Sequence, residues 1–87
     1  MKIRVKFLAT YRTLFGGRER DIEVAAETTV GGLLDLLGDT PARRKELFAG
    51  GALRPHVVVL RNGSPATPGA GLSPDDTIAV FPFITGG

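Results

Sequence analysis

The sequence contains no cysteine. That removes a disulfide framework, thiolate metal ligands and any thiol nucleophile of the chain's own, and it fits a cytoplasmic protein. Histidine occurs once, as His56, so a multi-histidine metal site within one chain is excluded. Long hydrophobic runs are missing too. The longest aliphatic stretch, Val57-Val58-Val59-Leu60, is far short of the roughly 20 residues that span a bilayer. Met1-Lys2-Ile3-Arg4-Val5-Lys6 alternates charged and apolar side chains and lacks the continuous apolar segment of a signal peptide. Neither sign of charge dominates: 11 Lys and Arg against 9 Asp and Glu leave a net +2 spread along the chain. A cytoplasmic location, no membrane partner and no nucleic-acid partner are therefore expected.

The residues present are enough for one small core. A chain of 87 residues with 43% hydrophobic side chains reads as a single folded domain over 1–87. Ile3, Val5 and Phe7 alternate with Lys2, Arg4 and Lys6, which predicts a half-buried strand over 2–9. Tyr11–Phe15 reads as a short helical turn, broken by Gly16-Gly17. Glu19–Ala25, with Ile22 and Val24 on one face, reads as a second strand antiparallel to the first. Thr28-Thr29 offers a capping hydroxyl, and Val30, Leu33, Leu34 and Leu37 then line one face of a helix. Gly38 stands where a left-handed C-cap residue belongs. Gly31 and Gly32 weaken the first turn of that helix by roughly 1 kcal/mol each relative to alanine, so tertiary packing must offset them.

Thr40-Pro41 repeats the cap signal, with proline at the first helical position, for a polar helix over 41–48 anchored by Leu47 and Phe48. Ala49-Gly50-Gly51 reads as loop and His56–Arg61 as the third strand. Asn62-Gly63 is a tight hairpin turn, and Pro65 and Pro68 limit the next segment to a short edge strand. Leu72–Asp76 is a further turn and Thr77–Phe81 the last strand. A hairpin, a crossover helix and further strands make an α+β fold of the β-grasp type. It has one mixed sheet, the main helix across one face, and the first and last strands side by side in the middle. Residues 82–87 are expected as an extended tail, Pro82-Phe83-Ile84-Thr85-Gly86-Gly87, about 20 Å long. Glycines without Cβ thread clefts closed to other residues. The Gly87 carboxylate is thus the expected reactive group.

Several segments together resemble the MoaD/ThiS-like ubiquitin-like sulfur carriers, a family that takes in the small subunit of molybdopterin synthase and the archaeal small modifiers. They are Phe7-Leu8-Ala9-Thr10-Tyr11-Arg12, Thr29-Val30-Gly31-Gly32-Leu33-Leu34, Val59-Leu60-Arg61-Asn62-Gly63, Leu72 to Asp76, Phe81-Pro82 and Gly86-Gly87. Close family members often read Phe-Pro-Pro near the end, where this chain has Phe81-Pro82-Phe83. The resemblance implies that an E1-like enzyme adenylates the Gly87 carboxylate with ATP and that a sulfur nucleophile then displaces AMP, leaving a thiocarboxylate. The chain would be a protein co-substrate that holds no permanent cofactor and no metal. Its expected partners are the activating enzyme and the large subunit of molybdopterin synthase.

Three functions remain open on these residues. The expected one is sulfur carriage as the small subunit of molybdopterin synthase in molybdenum cofactor synthesis, with thiamine, cysteine or transfer RNA as alternative sulfur acceptors. Another is covalent modification of lysines through the same activated glycine. The third is a β-grasp binding module with an inert tail. Phe81 reads equally as a partner anchor or as sheet packing, and Phe83, beyond the last core positions, reads as partner-facing with Ile84, Thr85 and Gly86. Val57–Leu60 places apolar residues on both faces of its strand, one of them left for a partner or for the second helix. His56 reads as a polar residue at a strand edge rather than a general base. Lys2, Arg4 and Lys6 read as a solvated stripe, and so do Arg43, Arg44 and Lys45. Tyr11 and Arg12 are expected to pin their loop.

Overall fold

In the computed structural model, which describes residues 1–83, the elements are β1 (Lys2–Phe7), α1 (Tyr11–Leu14), β2 (Glu19–Glu23), α2 (Val30–Leu37) and α3 (Pro41–Leu47). There follow β3 (Phe48–Ala49), β4 (Ala52–Leu53), β5 (Val57–Arg61), β6 (Ser64–Pro65) and β7 (Thr77–Pro82). A five-stranded sheet has the order β2-β1-β7-β5-β6, and β3 and β4 form a separate two-stranded ribbon. β1 and β7 are parallel neighbours at the centre, and every other pairing is antiparallel. This is the expected β-grasp, ubiquitin-like fold.

One face of the sheet meets the helices. Ile3, Val5 and Phe7 from β1 and Ile78 and Val80 from β7 lie under the α2 stripe of Val30, Leu33, Leu34 and Leu37. All nine are at most 1% exposed. Phe15 closes one end of the core, stacked on Phe7 with ring centroids 4.6 Å apart, and Tyr11 meets it edge-on at 5.6 Å. α3 packs beside α2 and adds Leu47 to the same core, so it does not cover the sheet's other face.

The caps are those the sequence signals. Thr29 Oγ1 accepts from the Gly32 N–H at 3.1 Å, and Thr40 Oγ1 from the Arg43 N–H at 3.2 Å. The remaining amides at the start of α2 are satisfied from outside the helix: Val30 donates to the Ala70 carbonyl at 2.9 Å and Gly31 to that of Pro68 at 2.8 Å. That approach explains Gly31, where a Cβ would stand 3.1 Å from the Pro68 oxygen and 3.2 Å from its Cβ. At Gly32 the close neighbour is a side chain rather than a backbone carbonyl: a Cβ would stand 3.2 Å from the Thr28 methyl, which must yield slightly, and 3.6 Å from the Thr29 hydroxyl.

Several boundaries differ from expectation. β1 stops at Phe7 because Leu8 and Ala9 turn the chain, with Ala9 at φ 54°, so that Tyr11 can enter the core. Gly38 has φ −78° and is not a left-handed cap. The expected loop at 49–51 is the turn of the β3–β4 hairpin, in which Gly50 and Gly51 supply the two positive φ values that a two-residue turn requires. Asn62 and Gly63 do the same between β5 and β6, at φ 49° and 85°. Pro82, expected to open the tail, is the last residue of β7.

The end of the sheet where β5 turns and β7 begins is held by Asp76, which is 6% exposed. Its carboxylate accepts from Arg61 Nε at 2.7 Å, Asn62 Nδ2 at 2.8 Å and the Ser73 N–H at 2.8 Å. Burial pushes its pKa up, but those three donors outweigh burial and hold it at about 2. A carboxyl depressed in the folded state stabilises the fold above its ordinary pKa near 3.8 and loses that contribution as pH falls toward about 2. The thermal midpoint is expected to fall across that window, with a shallower fall in Asp76→Asn, measured by circular dichroism from pH 5 to 2. For the glycines, Gly31→Ala is expected to destabilise in urea unfolding. Gly32→Ala is expected to be neutral or to stabilise by up to about 1 kcal/mol.

Candidate functional site

The candidate site begins where β7 leaves the sheet. Of the residues singled out there from sequence, Phe81, Pro82 and Phe83 are described, and Ile84, Thr85, Gly86 and Gly87 lie outside the described residues. β7 lies between β1 and β5, but its pairing with β1 ends at Phe7↔Val80. On the other side its pairing with β5 runs on through Phe81↔Val58 and Pro82↔Val57, and the Phe83 N–H then donates to the His56 carbonyl at 2.6 Å. In an antiparallel ladder, hydrogen-bonded and non-bonded pairs alternate. Pro82 therefore falls in a non-bonded pair, with its nitrogen facing the side that β1 has already vacated. A missing N–H costs nothing there, which is why a proline is tolerated in a central strand.

The sheet face away from α2 divides in two. On β1 and β2, Lys2 stands opposite Glu23, Arg4 opposite Asp21 and Lys6 opposite Glu19. The basic stripe expected from sequence is therefore matched charge for charge by an acidic one. Arg4 Nε meets Asp21 Oδ1 at 3.1 Å, and that hydrogen bond lowers the Asp21 pKa and raises that of Arg4. On β5 and β7 the same face is apolar, with Val58 opposite Phe81 and Leu60 opposite Ala79, all partly exposed. Val57 and Val59 turn inward. Phe83 is 60% exposed, and Leu8, whose N–H donates to the Val80 carbonyl at 3.3 Å, is 38% exposed. Phe81 is thus both sheet packing and accessible apolar surface.

A polar group lies beside this end. Glu46 on α3 accepts from the Tyr11 hydroxyl at 2.8 Å and bonds His56 Nε2 at 2.5 Å. The bond from His56 is the main cause of a lowered Glu46 pKa. It works against burial, and Tyr11 adds to it. Burial and then the Glu46 contact push the Tyr11 phenol well above its ordinary value. His56 is therefore a tethered side chain, and the sequence carried no sign of its partner. Among the described residues no group of three or more His, Cys, Asp or Glu could hold a metal ion, and no helix is long and apolar enough to cross a membrane. A cavity of about 350 Å³ between α2, α3 and the β3–β4 ribbon is lined mainly by Leu34, Phe48, Leu53 and Pro68. Its charged groups, Asp35 and Arg44, bond each other.

The profile of the ThiS family matches residues 5–87. The chain belongs to the ThiS family. Small archaeal modifier protein 1 of Haloferax volcanii is 37% identical over 84 residues, covering 94% of this chain and 97% of that protein. A crystal structure of the Haloferax volcanii protein superposes with a TM-score of 0.90 at 35% identity, covering the whole of both chains. A Pyrococcus furiosus structure, assigned as a molybdopterin converting factor, subunit 1, gives a TM-score of 0.78 at 26% identity over 97% of this chain and 99% of that one. Membership of this ubiquitin-like carrier and modifier family implies an E1-like activating enzyme as a partner.

Phe81 should matter little to folding if its role is on the open face. Phe81→Ala is expected to lose about 1 kcal/mol or less in urea unfolding, against about 3 kcal/mol for Leu33→Ala in the sealed core.

Proposed function

We propose that this chain is a ubiquitin-like protein modifier, activated at the carboxylate of Gly87 and joined to lysine amines of other proteins. The observation that carries the reading is the end-to-end likeness to the Haloferax volcanii modifier, within a family match that runs through Gly86 and Gly87.

A carboxylate resists nucleophiles because its charge is delocalised and oxide is a poor leaving group. An E1-like enzyme with ATP overcomes this by forming the acyl adenylate and releasing pyrophosphate. A lysine nitrogen then attacks the carbonyl carbon, the bond to AMP breaks, and the amine's proton passes to solvent or to a base of the partner. The result is an isopeptide bond. The chain itself contributes no acid, base or metal and acts as a protein co-substrate. Its contribution is placement: Val58, Leu60 and Phe81 offer an apolar docking strip, bordered by the paired charges of β1 and β2.

A second reading is favoured by the likeness to the Pyrococcus furiosus structure. There a sulfur nucleophile displaces AMP, and the resulting thiocarboxylate donates sulfur, with the large subunit of molybdopterin synthase as the receiving partner. Carriage to thiamine, cysteine or transfer RNA would use the same activated carboxylate. The two readings diverge only at the nucleophile, so one chain is chemically able to serve both.

Deleting Gly87, or adding one residue after it, is expected to reduce ATP-dependent transfer by about a hundredfold or more while leaving the thermal midpoint unchanged. After chymotryptic cleavage at Phe83, target lysines of the wild-type conjugates should carry an Ile-Thr-Gly-Gly remnant; no Lys or Arg follows Arg61, so trypsin would leave the whole of Asn62–Gly87. Transfer at the wild-type rate by either variant would contradict activation at Gly87.

A further inference from the structure

The group of Tyr11, Glu46 and His56 plays no part in the activation chemistry, yet it is tied to the strand from which the C-terminal segment departs. His56 lies in a turn over Arg54–Val57, closed by the Val57 N–H to the Arg54 carbonyl at 3.1 Å, with Pro55 second in the turn. The turn is bolted to the end of α3 at three points. Arg54 N–H donates to the Leu47 carbonyl at 2.8 Å, Arg54 Nε to that of Lys45 at 2.7 Å, and the His56 ring bonds Glu46 at 2.5 Å. Glu46 is held in turn by the Tyr11 hydroxyl at 2.8 Å, from a side chain sealed in the core. On its other side the turn presents the His56 carbonyl, which accepts the Phe83 N–H at 2.6 Å.

We infer that His56, locked by Glu46, is a positioning residue for the C-terminal segment: it fixes the carbonyl that captures Phe83 and so sets the direction in which the chain leaves the sheet. Pro82 has no N–H, so if the Phe83 bond opens, the nearest earlier residue able to donate toward β5 is Phe81. One hydrogen bond therefore governs two residues of chain direction. Only three residues, Ile84, Thr85 and Gly86, separate Phe83 from Gly87, and an error of direction at the start of so short a segment displaces its far end from an activating site. The ring is faced by Glu46 and Lys45 from α3, by Tyr11 from α1 and by Arg54 within the turn. Glu46 is the only anion among them. The functional part of this inference rests on the activation reading above.

Glu46→Gln tests it, with His56→Gln as a second variant; Glu46 is a partly exposed position where folding is expected to survive. In Glu46→Gln the Phe83 amide should exchange about fivefold faster or more, with the Ile78 and Val80 amides unchanged. The kcat for ATP-dependent activation should fall about threefold or more with KM unchanged, because the apolar docking strip is untouched. The double variant should behave as either single one does, since the two residues act as one unit. A Phe83 amide and a kcat at wild-type values, or faster exchange spread evenly over the sheet, would overturn the inference. A wild-type chain that no E1-like enzyme activates would overturn the activation reading instead, while the exchange measurement still reports whether the latch exists.

Discussion

The parallel pairing of β1 with β7 is the constraint on which the rest of the structure depends. Two parallel neighbours cannot be joined by a tight turn, so the chain between them must travel across the sheet and back. Here that excursion supplies the hairpin partner β2, the covering helices α2 and α3, and the strands β5 and β6 on the other side of β7. It also puts β7 at the centre, where Ile78 and Val80 are fully buried on one side and Ala79 and Phe81 face outward on the other. The chain therefore leaves from the best-held strand of the domain. Because β1 turns away after Phe7, the last residues of β7 keep only β5 as a neighbour, and a proline fits where a central strand would otherwise reject it.

The open face derives from the same arrangement. The β2–β1 half is lined by opposite charges in register, and such exposed pairs add little to folding. Their effect is to keep that half wet and unattractive to apolar surfaces. The β7–β5 half is left apolar, and it includes Phe81, two residues before the last described residue. In the proposed reading a partner docks on Val58, Leu60 and Phe81, close to the last described residue, Phe83, whose N–H is held by the Arg54–Val57 turn.

Much of this was legible because local and global signals agree. The period-two alternation of Lys2–Phe7 and the helical stripe from Val30 to Leu37 name their buried faces directly. Thr29, Thr40-Pro41 and Asn62-Gly63 mark ends and turns by chemistry that needs no tertiary context. The features that were not legible depend on distant partners. Gly31 looks like a weak helix start until Pro68 is seen to press against it. Ala49-Gly50-Gly51 passes for loop because the two-residue arms beside it are too short to show alternation. Glu46 gave no sign of joining Tyr11 to His56, and Gly38 imitates a left-handed cap while lying at an ordinary φ. The family resemblance carried the activated glycine, while the choice between sulfur carriage and lysine modification shifted toward the modifiers once the relatives were compared.

The most direct test of that choice is the intact mass of the protein isolated from its native cells, read together with a search for branched peptides. Modifier chemistry predicts Ile-Thr-Gly-Gly branches on lysines of other proteins after chymotryptic cleavage at Phe83, traceable to Ile84–Gly87 of this chain. A shift of one oxygen-to-sulfur exchange at Gly87 without such branches would assign the chain to sulfur carriage alone. An unmodified mass with no branches on any lysine would contradict the claim that Gly87 is activated.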